Sequence, residues 1–574
     1  MTDTLRVPTT DGLTLSVRIQ PAERRDAPTV LLIHGYPDTS AVWSPLVAEF
    51  GGRYRVVSYD VRGAGASDRP KQVRAYRLEQ LVADVQAVID AVSPERPVHL
   101  IGHDWGSIQG WHAVSDARLT GRIASYTSIS GPQLDYVGAW IRRGLRPGGL
   151  RELLRQLGHS LYIGLFLTPV LPELAWRLRL PDRLLRGHGP TGTLADKLYG
   201  LKLYRANMLT RPRIRPARTE VPVLVLAPSR DAYVGVAMQT QAPAPYTDDL
   251  RVRTIVGGHW VLSDRPAIIA RNAGQLIDHV EGGAAARELV VARANTATSP
   301  SKPFAGQLVV VTGSGAGIGR ATALEFARRG ADVIVCDIDL AAATRVSGEL
   351  RALGAGTAAY QLDVADGDAF AAFAKQVQAE HGTPDIVVNN AGIGMAGPFL
   401  DTSPADWSRI IDVNLWGVIH GSRLFGQQLV ERGEGGRIVN IASAAAYTPS
   451  RTYPAYATTK AAVLMLTECL RAELARHEIG AVAICPGFIN SDIAASTTHV
   501  GVDAAEQDRR RRHAVKSYRR RNYSPEKAAT RIVDATLANT PVRTITAEST
   551  AFLAITRFTP ALARRLATVD LTKL

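Results

Sequence analysis

Residues 98–106 read VHLIGHDWG, and residues 308–319 read LVVVTGSGAGIG. Each stretch is a short apolar run that ends in a glycine-containing turn and leads into a helical pattern. An apolar run of this kind predicts a buried strand of a parallel sheet, and a helix after the strand predicts a βαβ unit. The two stretches therefore predict an α/β architecture in both halves of the chain.

The same pattern continues outward from both stretches. The other predicted strands are TVLLIHG, YRVVSYD, SYTSIS, VPVLVLA and RVRTIVGG before residue 283, and DVIVCDI, DIVVNNA, GRIVNIAS and AVAICPG after residue 303. Alternation with helices predicts parallel sheets that are covered on both faces. Small and polar residues with two prolines crowd the second half of 283–303, as is typical of a linker. We therefore predict domains at 1–282 and 304–574, with a helical insertion at about 141–218.

Length and composition exclude several classes of protein. The chain has 574 residues, of which 46% are hydrophobic and 21% charged, as expected for a globular protein of more than one domain. Three cysteines (Cys336, Cys469 and Cys485) are too few for a disulfide framework and are typical of a reducing compartment. The first residues show no secretory signal. We predict a cytoplasmic location, with membrane association as an open alternative.

Asp104 lies at the centre of the turn in the first stretch. Gly102 and Gly106 permit a sharp strand-to-helix turn that projects the side chain between them. A carboxylate at this position can attack carbon and form an alkyl-enzyme ester. His259 follows the last predicted strand and can activate the water that hydrolyses the ester, while Asp231, after the preceding strand, can orient the histidine.

These residues and two further motifs resemble the α/β-hydrolase-fold epoxide hydrolases. The motifs are GHDWG at 102–106, HGYP at 34–37 and YDVRGAGASDRP at 59–70, and the resemblance covers about the first half of the chain. The family match implies a helical cap over the site. It also implies an oxyanion hole that is formed by the backbone N–H groups of Tyr36 and Trp105.

The resemblance implies two cap tyrosines that donate a proton to the opening epoxide oxygen. Tyr162 and Tyr204 stand in matching contexts, although aromatic residues of a Leu-rich insertion are also often plain core residues. A haloalkane dehalogenase would share the Asp nucleophile and the His base. A departing halide needs N–H donors and an epoxide oxygen needs a proton, so the HGYP motif and the paired tyrosines favour the epoxide.

The second stretch predicts a site for a dinucleotide. Glycines at this turn let the backbone approach a pyrophosphate at the N-terminus of a helix. Asp337 follows Gly319 by 18 residues, at the end of the next predicted strand. A carboxylate there can accept hydrogen bonds from both ribose hydroxyls and repels a 2′-phosphate, so NAD is predicted over NADP. Arg320 would favour NADP instead, unless it only occupies the first turn of the helix that follows.

Tyr456 and Lys460 form a second catalytic pair. Residues four apart lie on one face of a helix. We expect the ammonium group to favour the tyrosinate, so that Tyr456 can carry a proton while hydride moves to or from the cofactor. Ser443, thirteen residues before the tyrosine, can hold the substrate oxygen.

The second half resembles the short-chain dehydrogenases/reductases from about residue 304 to residue 538. The motifs TGxxxGxG, NNAG (389–392), YxxxK and PG occur in the family's order, and Asn414 matches its catalytic asparagine. Ser491 stands where the family commonly has threonine. The match implies these cofactor-binding residues: Gly313, Ser314, Gly317, Ile318, Gly319, Asp337, Asp363, Val364, Asn390, Ala391, Tyr456, Lys460, Pro486, Gly487 and Ile489.

Taken together, the two halves resemble a mycobacterial-type fusion of an epoxide hydrolase with a short-chain dehydrogenase. We predict a bifunctional enzyme with small-molecule epoxide and alcohol or carbonyl substrates, no metal and no nucleic-acid partner. The diol from the first site is a candidate alcohol for the second. The alternative is that one domain serves only as a binding or assembly module. By analogy with the family, the dehydrogenase domain is expected to form homo-oligomers.

Basic residues are concentrated in the insertion. Residues 141–218 hold 14 Arg and 2 Lys against 4 acidic residues, in a chain with a net charge of +14. The Arg/Leu mixture suggests peripheral contact with a membrane at the entrance for a lipophilic epoxide. The alternative interpretation is a solvated arginine-rich face.

Overall fold

A computed structural model describes residues 3–146, 149–181, 192–208, 216–293, 302–491 and 493–568. The chain divides into two compact units, Met1–Thr298 and Ser299–Leu574. The α/β prediction is confirmed in both units. Within the described ranges, no helix is long and apolar enough to cross a bilayer.

The first unit is built on an eight-stranded sheet. Its strands are β1 (Asp3–Pro8), β2 (Thr14–Gln20), β3 (Thr29–Ile33), β4 (Arg55–Tyr59), β5 (Val98–His103), β6 (Ile123–Ile129), β7 (Val223–Pro228) and β8 (Leu250–Ile255), in the spatial order β1-β2-β4-β3-β5-β6-β7-β8. The strands from β4 to β8 in this order are parallel. The buried side chains of β3 alternate between two cores, with Leu31 and Ile33 in one and Val30 and Leu32 in the other. The sheet is therefore covered on both faces.

The edge of this sheet departs from the all-parallel expectation. Strands β1 and β2 form a hairpin, and β2 pairs antiparallel with β4. The hairpin turns at Gly12, whose φ of 81° lies in the region that glycine adopts at no steric cost. The Asp-Gly pair at 11–12 is a hairpin signal that lies outside the long apolar runs of the sequence.

The helices of the first unit surround the sheet and form the insertion. They are α1 (Ser44–Phe50), α2 (Leu78–Val92), α3 (Trp105–Val114), α4 (Leu134–Gly144), α5 (Leu150–His159), α6 (Leu161–Leu167), α7 (Leu171–Arg177), α8 (Leu194–Asn207), α9 (Val236–Gln241), α10 (Val261–Asp264), α11 (Pro266–Val280) and α12 (Arg287–Val291). The inserted helical region begins at Leu134, before the expected start near residue 141. Helix α12 lies within the predicted linker, and its Leu289 is buried in the core of the first unit.

The second unit contains a seven-stranded parallel sheet. Its strands are β9 (Leu308–Thr312), β10 (Asp332–Asp337), β11 (Thr357–Gln361), β12 (Ile386–Asn389), β14 (Gly436–Ile441), β15 (Ile479–Cys485) and β17 (Val542–Thr544), in the order β11-β10-β9-β12-β14-β15-β17, and β13 (Met395–Ala396) pairs separately with β16 (Thr498–His499). The order reverses between β9 and β12. In open α/β sheets, ligands bind at the carboxyl ends of the strands beside such a reversal.

Helices cover both faces of the second sheet. They are α13 (Gly317–Arg328), α14 (Leu340–Ala352), α15 (Gly367–His381), α16 (Pro404–Ile411), α17 (Gly417–Arg432), α18 (Pro454–Leu474), α19 (Ile493–Ser496), α20 (Ala504–Arg521), α21 (Pro525–Leu537), α22 (Ala547–Phe558) and α23 (Pro560–Ala567). Val309 and Val311 of β9 lie in one core, and Leu308 and Val310 lie in the other.

Candidate active sites

Asp104 lies in a strained turn between β5 and α3. Its φ of 51° and ψ of −121° are unusual for a residue with a side chain. Glycine is required on either side, because a Cβ on Gly102 would lie 2.7 Å from the Gly106 carbonyl oxygen and one on Gly106 would lie 2.0 Å from the Ile33 carbonyl oxygen. The turn therefore holds the Asp104 carboxylate at the carboxyl edge of the sheet.

The loop after β3 supplies a hydrogen-bond donor to this carboxylate. The backbone N–H of Tyr36 donates to Asp104 Oδ1 over 2.7 Å. A Cβ at Gly35 would lie only 2.4 Å from the Cβ of Asp104, so the loop can approach this closely only with glycine there. Trp105 is the first residue of α3, directly after the carboxylate. The two predicted oxyanion-hole residues thus lie beside Asp104.

His259 lies between two carboxylates. Its Nε2 is 3.6 Å from Asp104 Oδ2, and its Nδ1 is 3.0 Å from Asp231 Oδ2. Burial would lower the pKa of His259, but the two carboxylates outweigh burial and raise it to about 10. The histidine therefore carries a proton at neutral pH.

Asp231 and His103 hold His259 in place. The N–H groups of Tyr233 and Val234 donate to Asp231 Oδ1 over 2.8 and 3.0 Å, which secures the carboxylate. His103 Nε2 lies 2.8 Å from the main-chain oxygen of His259. Burial lowers the pKa of His103 to about 4, so this second histidine is neutral and can donate that hydrogen bond.

The structure brings the two predicted cap tyrosines together. Tyr162 lies on α6 and Tyr204 on α8, with ring centroids 6.1 Å apart. Burial raises the pKa of both hydroxyls, and the charge of Asp104 raises it further. Both tyrosines therefore keep their protons at neutral pH and are available as proton donors.

Tyr233 and Phe166, two aromatic residues outside the sequence motifs, complete this site together with the ring of Tyr36. The ring of Tyr233 lies 4.8 Å from His259 and 5.2 Å from Tyr162, so it connects the base with the cap. Phe166 lies 5.1 Å from Tyr204. Tyr36 contributes its ring as well as its N–H, at 5.5 Å from Tyr204. For Tyr233, the available signal is its place two residues after Asp231.

In the second unit, the glycine-rich turn lies between β9 and α13. Gly313 and Gly317 have φ values of 60° and 54°. A Cβ on Gly319 would lie 2.2 Å from the Gly313 carbonyl oxygen, so this close approach needs glycine. The side-chain amide of Asn390 donates to the carbonyl oxygens of Thr312 and Gly313, both over 2.9 Å. The turn is therefore held in shape from the neighbouring strand end.

Asp337 ends β10 beside this turn. Its carboxylate accepts hydrogen bonds from Gly315 N over 2.8 Å and from Asp339 N over 3.1 Å. Arg320 lies on the first turn of α13, and its Nε donates to Glu349 Oε1 over 3.0 Å. The cation that could have countered Asp337 is thus paired with another carboxylate.

A cavity of about 460 Å³ connects the turn with the catalytic residues. Of the predicted cofactor-binding residues, those that line it are Gly313, Gly317, Ile318, Gly319, Asp337, Asp363, Val364, Asn390, Ala391, Tyr456, Lys460, Pro486, Gly487 and Ile489. Ser314 is fully buried, and its hydroxyl donates to the Cys336 carbonyl oxygen over 3.2 Å, so it supports the turn. The residues present fit a nicotinamide dinucleotide.

Tyr456 and Lys460 lie one turn apart on α18. Lys460 Nζ donates to the Ile441 carbonyl oxygen over 2.8 Å and lies 5.9 Å from the centroid of the Tyr456 ring. Burial lowers the pKa of Lys460 to about 8. Burial also raises the pKa of Tyr456, against a smaller lowering by the Ser443 hydroxyl. Desolvation is the largest cause of the shift in the Tyr456 pKa, so the tyrosine keeps its proton at neutral pH.

Asn414 lies in a π-helical turn between α16 and α17. Its Oδ1 accepts a hydrogen bond from Ile393 N over 2.8 Å, and its Nδ2 donates to Ile393 O over 3.0 Å. A Cβ on Gly392 would lie 3.1 Å from Asn414 Oδ1 and 3.4 Å from Lys460 Nζ. Asn414 and Lys460 therefore approach the same small space beside Gly392.

Comparisons with known proteins agree with this two-part organisation. Residues 28–266 match the alpha/beta hydrolase fold family, and residues 307–500 match the short chain dehydrogenase family. The probable oxidoreductase EphD of Mycobacterium tuberculosis (strain ATCC 25618 / H37Rv) is 41% identical over 558 residues, which cover 93% of each chain.

Two further proteins resemble the second unit alone. The (3R)-3-hydroxyacyl-CoA dehydrogenase of Canis lupus familiaris is 38% identical over 192 residues, which cover 32% of this chain and 74% of the relative. A crystal structure of a short chain dehydrogenase/reductase from Burkholderia phymatum in complex with NAD is 29% identical, covers 47% of this chain and 99% of that one, and gives a TM-score of 0.43.

Proposed function

Because this chain belongs to the EphD-type family, in which an α/β-hydrolase domain is joined to a short-chain dehydrogenase domain, we propose that it hydrolyses epoxides in the first domain and oxidises or reduces an alcohol–carbonyl pair in the second. The observation that carries the hydrolase proposal is His259 between Asp104 and Asp231, with nitrogen–oxygen distances of 3.6 and 3.0 Å. Two protonated tyrosines face the same centre.

In the first step, Asp104 Oδ2 attacks an epoxide carbon and the carbon–oxygen bond of the ring breaks. Tyr162 or Tyr204 donates its proton to the leaving oxygen, so the product is a hydroxyalkyl ester of Asp104. Ester formation removes one of the two negative charges beside His259. The pKa of the histidine then falls from about 10, and its proton can restore the tyrosine hydroxyl.

In the second step, neutral His259 accepts a proton from water, and the resulting hydroxide attacks Cγ of the ester. Negative charge develops on Asp104 Oδ1, which the Tyr36 N–H already contacts at 2.7 Å. Collapse of this intermediate releases the vicinal diol and restores the Asp104 carboxylate. The restored charge raises the histidine pKa again, so the cycle returns to its starting protonation state.

In the second domain, the family implies a nicotinamide cofactor, which supplies or accepts hydride when it is bound. Tyr456 exchanges a proton with the substrate oxygen, and the Ser443 hydroxyl orients that oxygen. Asn414 and Lys460 lie behind the tyrosine and carry its proton onward. The carboxylate of Asp337 beside the glycine-rich turn, together with the pairing of Arg320 with Glu349, favours NAD over NADP.

The test of the hydrolase proposal is diol formation from a panel of short aryl and long-chain epoxides, with Asp104→Ala as the control. We expect diol from the parent protein and none from the variant. No diol from any epoxide, together with halide release from haloalkanes, would contradict the proposal and support a dehalogenase.

The same assay tests whether the two domains share a metabolite. With epoxide and NAD supplied together, the coupled scheme predicts one NADH for each diol that is consumed. Diol that accumulates while NAD stays unchanged would rule out the coupled scheme and leave each single activity standing.

A further inference from the structure

The segment 141–181 exposes an unusual number of large apolar side chains. Of the large hydrophobic residues that the described part of the chain exposes, these belong to this short segment: Ile141, Leu145, Leu150, Leu154, Leu157, Leu161, Leu165, Val170, Leu171, Leu174, Leu178 and Leu180. Leu161 is 77% exposed and Leu145 68%. Scattered surface leucines need no explanation, but a concentration of this kind marks an interaction surface.

The exposed leucines of α5 form a stripe along the helix. Leu150, Leu154 and Leu157 are spaced i, i+4 and i+7, which places them on one side. Leu153 and Gln156, which are buried in the protein, lie on the adjacent side of the helix. The fold therefore buries one side of α5 and leaves the stripe of leucines exposed.

Helices α6 and α7 repeat this arrangement. Leu171, Leu174 and Leu178 are exposed at the spacing i, i+3 and i+7 along and just after α7. On α6, Leu161 and Leu165 are exposed four residues apart. Each helix also contacts α8 of the same domain. We call the exposed leucines of α5, α6 and α7 the leucine face.

Positive charge surrounds the leucine face. Exposed arginines of the segment are Arg142, Arg146, Arg151, Arg155, Arg177 and Arg179. The described acidic residues of the segment are Glu152 and Glu173, which are both half-buried, and Glu173 pairs with Arg205 over 2.7 Å. An apolar surface bordered by arginines is complementary to a bilayer with anionic headgroups, which offers apolar chains below a negative surface.

We propose that the leucine face docks the first domain onto the surface of an anionic lipid bilayer. The helices lie in the interface, with leucines among the acyl chains and arginines at the phosphates. Helix α6 then has lipid on the side of Leu161 and Leu165, while Tyr162 and Phe166 on the other side face the catalytic aromatic residues. The docked face is thus one helix away from the hydrolase site. The proposal concerns binding and does not depend on the reaction at that site.

The test is co-flotation of the full chain with vesicles of phosphatidylglycerol and phosphatidylcholine, compared with phosphatidylcholine alone. We expect binding to the anionic vesicles and at least ~10-fold less to the neutral ones, because arginines near an anionic surface each contribute about fivefold to affinity. Parent protein that stays unbound to the anionic vesicles would overturn the proposal.

Paired variants separate the leucine face from general surface effects. Leu154→Glu with Leu174→Glu should weaken binding to anionic vesicles at least ~10-fold, since each leucine loses its transfer into the acyl region. The matched control, Leu353→Glu with Leu537→Glu, changes two leucines of similar exposure in the second unit and should leave binding unchanged. Equal loss in both pairs would overturn the proposal.

Arginine variants test the contribution of charge to vesicle binding, and sedimentation tests whether a second copy of the chain covers the leucine face. Arg151→Gln with Arg155→Gln should weaken binding to anionic vesicles, and Arg25→Gln with Arg345→Gln should not. Sedimentation of the parent and the Leu154→Glu/Leu174→Glu variant tests the rival occupant, a second copy of the chain. A dimer that the leucine variant disrupts while vesicle binding persists would contradict lipid docking.

A further readout separates this proposal from the proposed function. Turnover of a short water-soluble epoxide should be the same in the parent and in the leucine variant, since none of these leucines lies in the catalytic centre. Loss of vesicle binding with this turnover retained supports docking as a separate property. If the parent turns over no epoxide, the flotation results still decide the docking proposal.

Discussion

The two catalytic centres control their titratable groups by opposite means. In the first domain, two carboxylates beside His259 outweigh burial and raise its pKa to about 10. In the second domain, Lys460 is buried without a carboxylate among the causes that shift it, and its pKa falls to about 8. Charge therefore dominates the hydrolase centre, and desolvation dominates the dehydrogenase centre.

This difference follows from what each reaction needs. The proposed hydrolase reaction consumes the negative charge of Asp104 and then restores it, so a base whose pKa depends on that charge would change protonation at the correct step. The proposed dehydrogenase reaction moves a proton in and out along Tyr456 and Lys460. Burial is the largest cause of the pKa shift of each of these two groups.

The largest expected effect breaks the hydrolase cycle after its first step. In His259→Gln, Asp104 can still attack the epoxide, but no base activates water, so turnover should fall by ~10³–10⁴-fold. Intact-protein mass spectrometry should then show one substrate added per chain. The control His279→Gln should turn over normally. Full turnover in His259→Gln, or an adduct that is absent while turnover is lost, would contradict the assigned order of steps.

The next largest effect is expected at the dehydrogenase centre, where the charge of Lys460 depends on pH. Lys460→Met should lower the rate of carbonyl reduction by ~10²–10³-fold, because the path that returns a proton to Tyr456 loses its ammonium. In the parent, Lys460 is charged below about pH 8 and loses its charge as the pH rises through that value. The ratio of parent to variant rates should therefore be largest below pH 8 and should shrink above it.

The matched control for this pH profile is Lys375→Met, which removes an exposed lysine of the same domain. Its rate should follow the parent at every pH. A ratio of parent to Lys460→Met that stays constant across pH 8 would show that the charge of Lys460 has no part in the proton path.

A smaller effect tests the shared role of the cap tyrosines. Tyr162→Phe and Tyr204→Phe should each lower epoxide turnover by ~10–10²-fold, because the remaining hydroxyl still donates a proton. The double variant should lose more than the product of the two. Tyr199→Phe lies on the same helix as Tyr204, close to Lys202, and serves as the control. Unchanged turnover in the double variant would exclude both tyrosines as proton donors.

The smallest effect concerns the cofactor. Asp337→Ser removes the charge that repels a 2′-phosphate, so the ratio of kcat/KM for NAD to that for NADP should fall by ~10-fold or more. Steady-state kinetics with both cofactors measures this ratio directly. A parent protein that already prefers NADP would contradict the assignment of Asp337.

Strand ends explain why much of both centres could be predicted from the sequence. Asp104, Asp231 and His259 each follow a recognisable apolar run, and parallel strands bring their carboxyl ends to one edge of the sheet. The glycine-rich turn and Asp337 could be predicted for the same reason, because they lie at the carboxyl ends of β9 and β10. The pairing of Arg320 with Glu349 could not be predicted, because it joins two helices whose relative rotation depends on packing.

The remaining differences between the sequence-based predictions and the structure concern burial, contacts between distant segments and the edge of the first sheet. The pKa of Tyr456 depends on how completely the protein removes water from it, and residue spacing contains no measure of this. The aromatic contacts of Tyr233 with His259 and Tyr162 join segments that are distant along the chain. The antiparallel edge formed by β1 and β2 depends on a short exposed strand, which carries little apolar signal.

The central claim is that one chain carries two complete and separate catalytic centres. The most direct measurement is to assay epoxide hydrolysis and NAD-dependent alcohol oxidation side by side in the parent, Asp104→Ala and Tyr456→Phe. The account predicts that Asp104→Ala loses only the hydrolysis and Tyr456→Phe loses only the oxidation. Loss of both activities in either variant, or a parent that shows only one of them, would contradict it.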